Sequence, residues 1–359
     1  MTFETKSAEA PHDGVSSASI ALPPLALPLA QDKTDPRVVI STASATLLDI
    51  GDGVSCLVFH SKLNTINAET TAFIRQSLEV TAAKFDALVI ANGAAHFSAG
   101  ADIRDFLVAI RGKDWTRIDQ METEFQGLMQ ELKYAKFPVV SCPVGMTFGA
   151  GCEISLHATL RLASIHTKAG LVEANVGLFP AGGGTKELAL RAYARASDDA
   201  GGDPMPFLRQ VFNLISAAKT SATAQEAIEM GLFPAATTGI EATRELVAPR
   251  AKQAALALIP DFVAKSRHNT IRAVGQAGIQ RFKADLAQSV EAGRISLYDA
   301  VIGEKIATVL CGGDVEAGSL VSEQRLLDLE RGLFVDLCQQ PNTLERIESM
   351  LKHGKPLRN

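Results

Sequence analysis

Residues 137–158 read FPVVSCPVGMTFGAGCEISLHA: an apolar run of strand length, two glycine-bearing turns, then a stretch of small residues holding a single carboxylate. PVVSCPV (138–144) has the β-branched content of a buried strand, and GAGCEISLHA (149–158) has the composition of a helix start with Glu153 in its first turn. A strand feeding a helix is the unit of α/β folds, so this segment sets the expected class. Glu153 is its odd member. The simpler reading is a helix-start glutamate that faces water and opposes the helix dipole. A buried one loses hydration and needs partners to offset the loss.

The alternation continues outward from this segment. VSCLVFH (54–60), DALVIA (86–91) and TLRLAS (159–164) are further runs of strand length, and 67–84 and 114–136 are long polar-faced segments without internal proline. This pattern predicts parallel strands joined by helical crossovers. Shorter helices are expected at about 183–193, 204–217 and 223–230, the last stopping at Gly231. Beyond residue 259 strand signals disappear. FVAKSRHNTIRAVGQ, RFKADLAQSVEAG, LYDAVIGEKIATVL and RLLDLERGLFVDLC all read as helices, and Leu326, Leu329, Leu333 and Leu337 keep one face of the last apolar. The expected organisation is a flexible leader at 1–36, an α/β core at 37–258 and an all-helical region at 259–359.

Composition narrows the function classes. The chain has 359 residues, 47% of them hydrophobic and 21% charged, enough for one large core or two smaller ones. A net charge of −5 with no run of five or more Lys and Arg argues against nucleic acid or an anionic membrane surface as the main partner. IALPPLALPLA (20–30) is broken by Pro23, Pro24 and Pro28 and follows no basic region, so neither an export signal nor a membrane span is expected. Five cysteines without a CxxC pair point to reduced thiols and a cytoplasmic location, with Cys142 and Cys152 as small buried residues. His60, His96, His157 and His166 have no spaced acidic or metal partner and read as packing or surface residues.

The glycine-rich stretches exclude more than they admit. GAGCEI (149–154) places Ile154 where a dinucleotide fingerprint needs a third small residue, and PAGGGTK (180–186) has Gly-Thr-Lys where a phosphate loop has Gly-Lys-Thr. No GxSxG elbow, HExxH pair or spaced Cys/His cluster occurs, so serine-hydrolase and zinc chemistry fall away and no metal is expected. HFSAGADI (96–103) is different. It follows a strand, and Ser98, Ala99, Gly100 and Ala101 leave backbone N–H groups accessible. With 149–151 it makes two small-residue loops after two strands, an arrangement that suits a developing oxyanion.

Taken together, HSKLN (60–64), HFSAGADI (96–103), the opening segment, AGLVEANVGLFPAGGGT (169–185) and SATAQEAIEMGL (221–232) resemble the enoyl-CoA hydratase/isomerase, or crotonase, superfamily over about residues 37–258. The resemblance implies an α/β fold of repeated ββα units with helical C-terminal elements, assembled as a trimer or a dimer of trimers. It implies that Glu153 and Glu173, 20 residues apart, form an acid/base pair, and that the N–H groups of Ala101 and Ala150 hold a thioester oxygen. It further implies contacts to substrate or coenzyme A from Lys62, Leu63, Ala99, Asp102, Ile103 and Arg104; Lys62 and Arg104 are either phosphate contacts or solvated surface cations. One departure stands out, Gly149-Ala150-Gly151 where the family has three glycines.

The expected activity is hydration of 2-enoyl-CoA, with Δ3-Δ2-enoyl-CoA isomerisation or a non-catalytic acyl-CoA-binding role beside a dehydrogenase as alternatives. No nicotinamide or other cofactor is expected beyond coenzyme A within the substrate. The tail segments VLCGGDVEAG, VSEQRLLDLERGLF and ERIESMLKHGKPLRN resemble the end of the hydratase module in multifunctional fatty-acid oxidation proteins, which implies a separate 3-hydroxyacyl-CoA dehydrogenase as a partner.

Overall fold

The structure, a computed structural model, describes residues 34–198, 202–267 and 269–359. All but the last three residues of the expected leader lie outside it. β1 (Val38–Ser41), β2 (Ala45–Asp49) and β3 (Val54–Phe59) form an antiparallel meander. From β3 the chain crosses through α1 (Ala68–Lys84) to β4 (Ala87–Ile90), and through α2 (Ile103–Arg111) and α3 (Trp115–Lys133) to β5 (Val139–Ser141). β6 (Met146–Phe148) leaves the sheet, α4 (Ala150–His157) leads back to β7 (Leu160–Ser164), and β8 (Lys168–Gly170) pairs with β6. A single 3₁₀ turn at Glu173–Val176, α5 (Gly184–Asp198), α6 (Met205–Ser216) and α7 (Ala224–Glu229) precede β9 (Thr238–Glu241) and α8 (Arg244–Leu258).

The main sheet has the order β1-β2-β3-β4-β5-β7-β9 and is parallel from β3 onward. Parallel neighbours cannot be joined by a tight turn, which is why each pair is separated by helix. β3, β4 and β5 are buried along their whole length, as strands covered on both faces must be, and this explains their mostly apolar sequence.

The C-terminal region holds β10 (Thr270–Arg272), α9 (Gly275–Glu291), α10 (Leu297–Leu310), β11 (Leu320–Ser322), α11 (Glu323–Cys338) and α12 (Pro341–His353). It is helical apart from the β10–β11 ribbon, so the all-helical expectation needs that correction. Three-residue strands are too short for an alternating pattern to register. The helix expected over FVAKSRHNTIRAVGQ is also absent: a 3₁₀ turn ends at Asp261, β10 follows, and α9 starts only at Gly275. At the other extreme, α8 keeps Pro249 within its 15 residues, a feature that sequence punctuation reads as a break.

Two apolar cores result. One surrounds the sheet, α1 and α8, and the other is built from α5, α6, α9, α10 and α11. α4 lies between them, with Ala150 and Ile154 in the first core and Cys152 and Leu156 in the second. Every residue of α4 is therefore buried.

Candidate active site

Burial of α4 on all sides decides the question raised by Glu153, which is only 3% exposed and does not face water. Gly149 caps the helix with φ 50°, and a Cβ there would come within 3.2 Å of Glu173 Oε1. Only glycine serves in that conformation at that distance. The two glutamates therefore flank one helix terminus. Ala150 is the first residue of α4, so its N–H has no partner within the helix.

These groups open into a cavity of about 240 Å³. Ala99, Ala101, Ile103, Ala150, Glu153 and Glu173 line it, so six of the ten residues singled out in the sequence converge there. Among the described residues neither the Ala101 nor the Ala150 N–H has a hydrogen-bond partner. Ala101 is placed by an isolated bridge to Ile66, and Asp102 N–H donates to the Ile66 carbonyl at 2.9 Å.

The remaining four lie off that lining. Asp102 caps α2 and borders a smaller adjoining cavity; Arg104 is paired to it, with Nε 2.8 Å from Oδ1. Lys62 and Leu63 belong to a short turn joined to the 96–102 loop, where Ala99 N–H donates to the Leu63 carbonyl at 3.1 Å. Leu63 is 51% exposed and, with Asn64, adopts positive φ, an uncommon pairing for residues other than glycine.

Electrostatics separates the two acids. Burial raises the Glu153 carboxyl to about 7, held down from higher by N–H groups of Gly184 and Gly182 and by Lys186. Gly184 N–H donates to its Oε1 at 2.8 Å. Glu173 is driven well above the ordinary carboxylate range, first by burial and then by the charge of Glu153, and its Oε2 is buried without a partner. Burial thus raises both carboxyls, and the added charge of Glu153 on Glu173 makes Glu153 the first to ionise. His157 is a core residue, kept neutral by burial and by Lys186; its Nδ1 lies 2.7 Å from the Glu153 carbonyl and its Nε2 3.0 Å from Lys186 Nζ. All five cysteines are buried free thiols, and burial pushes Cys152 far above its usual value. No set of three or more His, Cys, Asp and Glu among the described residues is arranged to hold a metal ion.

The chain compares directly with known proteins at this point. The family model described as enoyl-CoA hydratase/isomerase matches residues 53–194, which include both oxyanion-type loops and both glutamates. A Bacillus subtilis (strain 168) protein named "Probable 3-hydroxyacyl-CoA dehydrogenase" is 36% identical over 322 residues, covering 90% of this chain and 40% of that protein. Over residues 53–194 the chain is similar to the enoyl-CoA hydratase/isomerase family. A Rickettsia felis protein named "Putative fatty acid oxidation complex trifunctional enzyme" is 23% identical over 88% of the chain, again 40% of its own length. The chain thus spans about two fifths of these relatives. Crystal structures of enoyl-CoA hydratases from Rhodobacter sphaeroides (TM-score 0.63, 18% identity, 88% of this chain and 92% of that one) and Bacillus halodurans (0.58, 16%, 85% and 99%) share the fold.

The C-terminal helices complete the cavity lining. Phe334 of α11 and Met350 of α12 line the cavity. The Glu330 carboxylate on α11 accepts the Lys186 N–H in the first turn of α5, the turn whose Gly184 N–H holds Glu153. From α12, Thr343 Oγ1 donates to the Gly177 carbonyl at 2.8 Å and Arg346 Nη1 to the Ala174 carbonyl at 3.3 Å, fixing the turn that carries Glu173.

Sequence reading missed these supports and also Glu122, a buried carboxyl on the cavity wall. Its signal was present: Ile118, Glu122, Gln126, Met129 and Lys133 recur at helical spacing on the buried stripe of α3. No helix among the described residues is long and apolar enough to cross a membrane.

Proposed function

We propose that this chain is a hydratase that adds water to 2-enoyl-CoA thioesters to give 3-hydroxyacyl-CoA. The observation that carries the proposal is the meeting, in one cavity, of two buried carboxyls and two unpartnered backbone N–H groups. Ionised Glu153 takes a proton from water as the water oxygen bonds to C3. The π electrons move toward C2 and the thioester oxygen, whose charge Ala101 and Ala150 N–H stabilise with help from the α4 terminus. Protonated Glu173 then delivers its proton to C2. Transfer of the proton gained by Glu153 to the ionised Glu173 returns the pair to its starting state. Moving a double bond needs only one shuttling carboxyl, so two acids of opposed protonation favour hydration over isomerisation. A relative named for 3-hydroxyacyl-CoA oxidation would consume the product. Incubation with crotonyl-CoA, following loss of the conjugated thioester's ultraviolet absorbance, tests the assignment, and a purified chain with no turnover refutes it. The expected assembly is a trimer, read by light scattering.

The pH profile of kcat/KM follows from the same pair. Activity rises as Glu153 loses its proton around pH 7, and falls at higher pH where Glu173 ionises. A profile flat between pH 5 and pH 9 would remove this division of roles.

Gly182 gives a steric test. A Cβ there would sit 2.8 Å from Glu153 Oε2 and collide with the Phe125 ring. Gly182→Ala should displace the carboxylate and cost about 10²-fold in kcat, the scale of a small misplacement in an aligned site. Steady-state kinetics of a variant that keeps its wild-type circular dichroism reads this out.

A further inference from the structure

Glu122 has no place in the hydration scheme, yet it sits within reach of it. It projects from the buried stripe of α3, is 6% exposed, and lines both the main cavity and the smaller one adjoining it. Phe106, Phe125, Ala101 and Ala150 border both cavities with it, while Glu153 and Glu173 share the main one and Thr71, Asp102 and Asp105 the smaller one. Its carboxyl makes no hydrogen bond or ion pair among the described residues. Burial raises it to about 8, with the charges of Glu153 and Asp119 adding to the effect.

A largely buried carboxyl without a hydrogen-bonding partner destabilises the fold, and replacing it by an apolar residue of similar size would relieve that. The contrast with its neighbours on the stripe is instructive. Gln126 donates to the carbonyls of Ala181 and Leu327, and Lys133 is paired to Glu187 and Glu323. Those two hold the fold together. Glu122 instead lines the main cavity and the smaller one beside it.

We infer that Glu122 forms a polar subsite in the acyl cavity that recognises a hydroxyl substituent on the substrate chain. The inference rests on the acyl-CoA reading of this cavity. A hydroxyl both donates and accepts, so it satisfies the carboxyl in either protonation state. An ammonium would have to shed its hydration to enter. A carboxylate on the chain would meet Glu122, Glu153 and Glu173 together. An unsubstituted chain leaves Glu122 unsatisfied, and rejection of an analogue lacking the polar group is the discrimination such a site gives.

The experiment is calorimetric binding of saturated acyl-CoA thioesters, which asks nothing of the hydration chemistry. Unsubstituted chains are compared with chains of the same length carrying the hydroxyl in turn on the fourth through the eighth carbon. The wild-type protein should bind one hydroxylated chain about tenfold more tightly than its unsubstituted counterpart, the scale of one hydrogen bond at a buried group. Glu122→Leu should abolish that preference, and Glu122→Gln, which keeps a donor and an acceptor, should retain most of it. Equal affinity for both chains at every position in the wild-type protein overturns the inference whether or not either variant folds, as does a preference unchanged in Glu122→Leu. A protein that binds and discriminates these thioesters but does not hydrate crotonyl-CoA would refute the hydratase assignment and leave the subsite standing. One that binds no acyl-CoA refutes both.

Discussion

Glu153→Gln and Glu173→Gln should each lower kcat for 2-enoyl-CoA hydration by about 10²–10⁴-fold, the usual contribution of a positioned acid or base. Gln matches Glu in size, and its amide oxygen can still accept the Gly184 N–H that Glu153 accepts at 2.8 Å, so the site should keep its shape. Affinity for a saturated acyl-CoA should consequently change little, because each lost function acts only in the transition state. The double variant should be scarcely worse than either single one, since two groups that pass one proton act as a unit. Near wild-type turnover in either variant would remove that residue from the scheme.

The same substitutions should alter stability with an opposite sign. Both carboxyls are raised in the folded chain above their ordinary value of 4.5, to about 7 for Glu153 and further for Glu173. Groups of this kind favour the folded state at low pH and lose that contribution as pH rises from the unfolded value through the folded one. The wild-type protein should therefore lose thermal stability between pH 5 and pH 8. The Gln variants should lose less of it, which melting curves across that range will read. An inactive variant that melts higher at pH 8 than the wild type separates a lost catalytic group from a damaged fold.

What the sequence made legible follows from how each feature is encoded. Strands β3, β4 and β5 lie covered in the sheet, and such burial writes itself as a mostly apolar run. Segment 297–310 matches α10 residue for residue, and its start at Ser296 is fixed by a capping box with Asp299. Convergence of Glu153, Glu173, Ala101 and Ala150 was legible because loops and residues recur in a family order, so resemblance carried what periodicity alone could not.

The polar groups of the interior were not legible. Glu122, Lys133, Glu323 and Glu330 occur in helices rich in charged residues, and only the three-dimensional register says which charges turn inward. Nor does sequence reveal that Lys186, next to glycines in PAGGGTK, is fully buried with all three ammonium protons engaged, by His157, Glu187 and Glu323.

Loss of the Glu323 carboxylate should give the largest stability effect of any single substitution proposed for this chain. Glu323 opens α11 and enters a buried ionic cluster, its Oε1 2.8 Å from Lys186 Nζ and 2.9 Å from Lys133 Nζ, its Oε2 bonded to Tyr134 and 3.0 Å from Asn269 Nδ2. Burial opposes its ionisation, but Lys186 and Lys133 outweigh burial and hold it far below the ordinary range. Glu323→Ala would leave two buried lysines with Glu187 as their remaining carboxylate partner, and breaking such a set from one side costs about 3–5 kcal/mol. The cost should be full at pH above about 4.5, where the carboxylate is ionised in the unfolded chain, and should shrink progressively as pH falls below that value toward the folded one. Because α5 begins beside this cluster and carries the Gly184 N–H that holds Glu153, turnover should fall along with stability. Deletion of 259–359 is the extreme form of the same change. It removes Glu323, Glu330, Phe334, Arg346 and Met350 together, uncovers the helical core, and should yield an aggregated, inactive 37–258 fragment. Denaturant titration of Glu323→Ala at pH 7 and light scattering of the fragment are the measurements. A loss under about 1 kcal/mol, in the range of exposed pairs, together with a soluble and fully active fragment, would mean that the C-terminal helices serve some purpose other than holding the two glutamates in place.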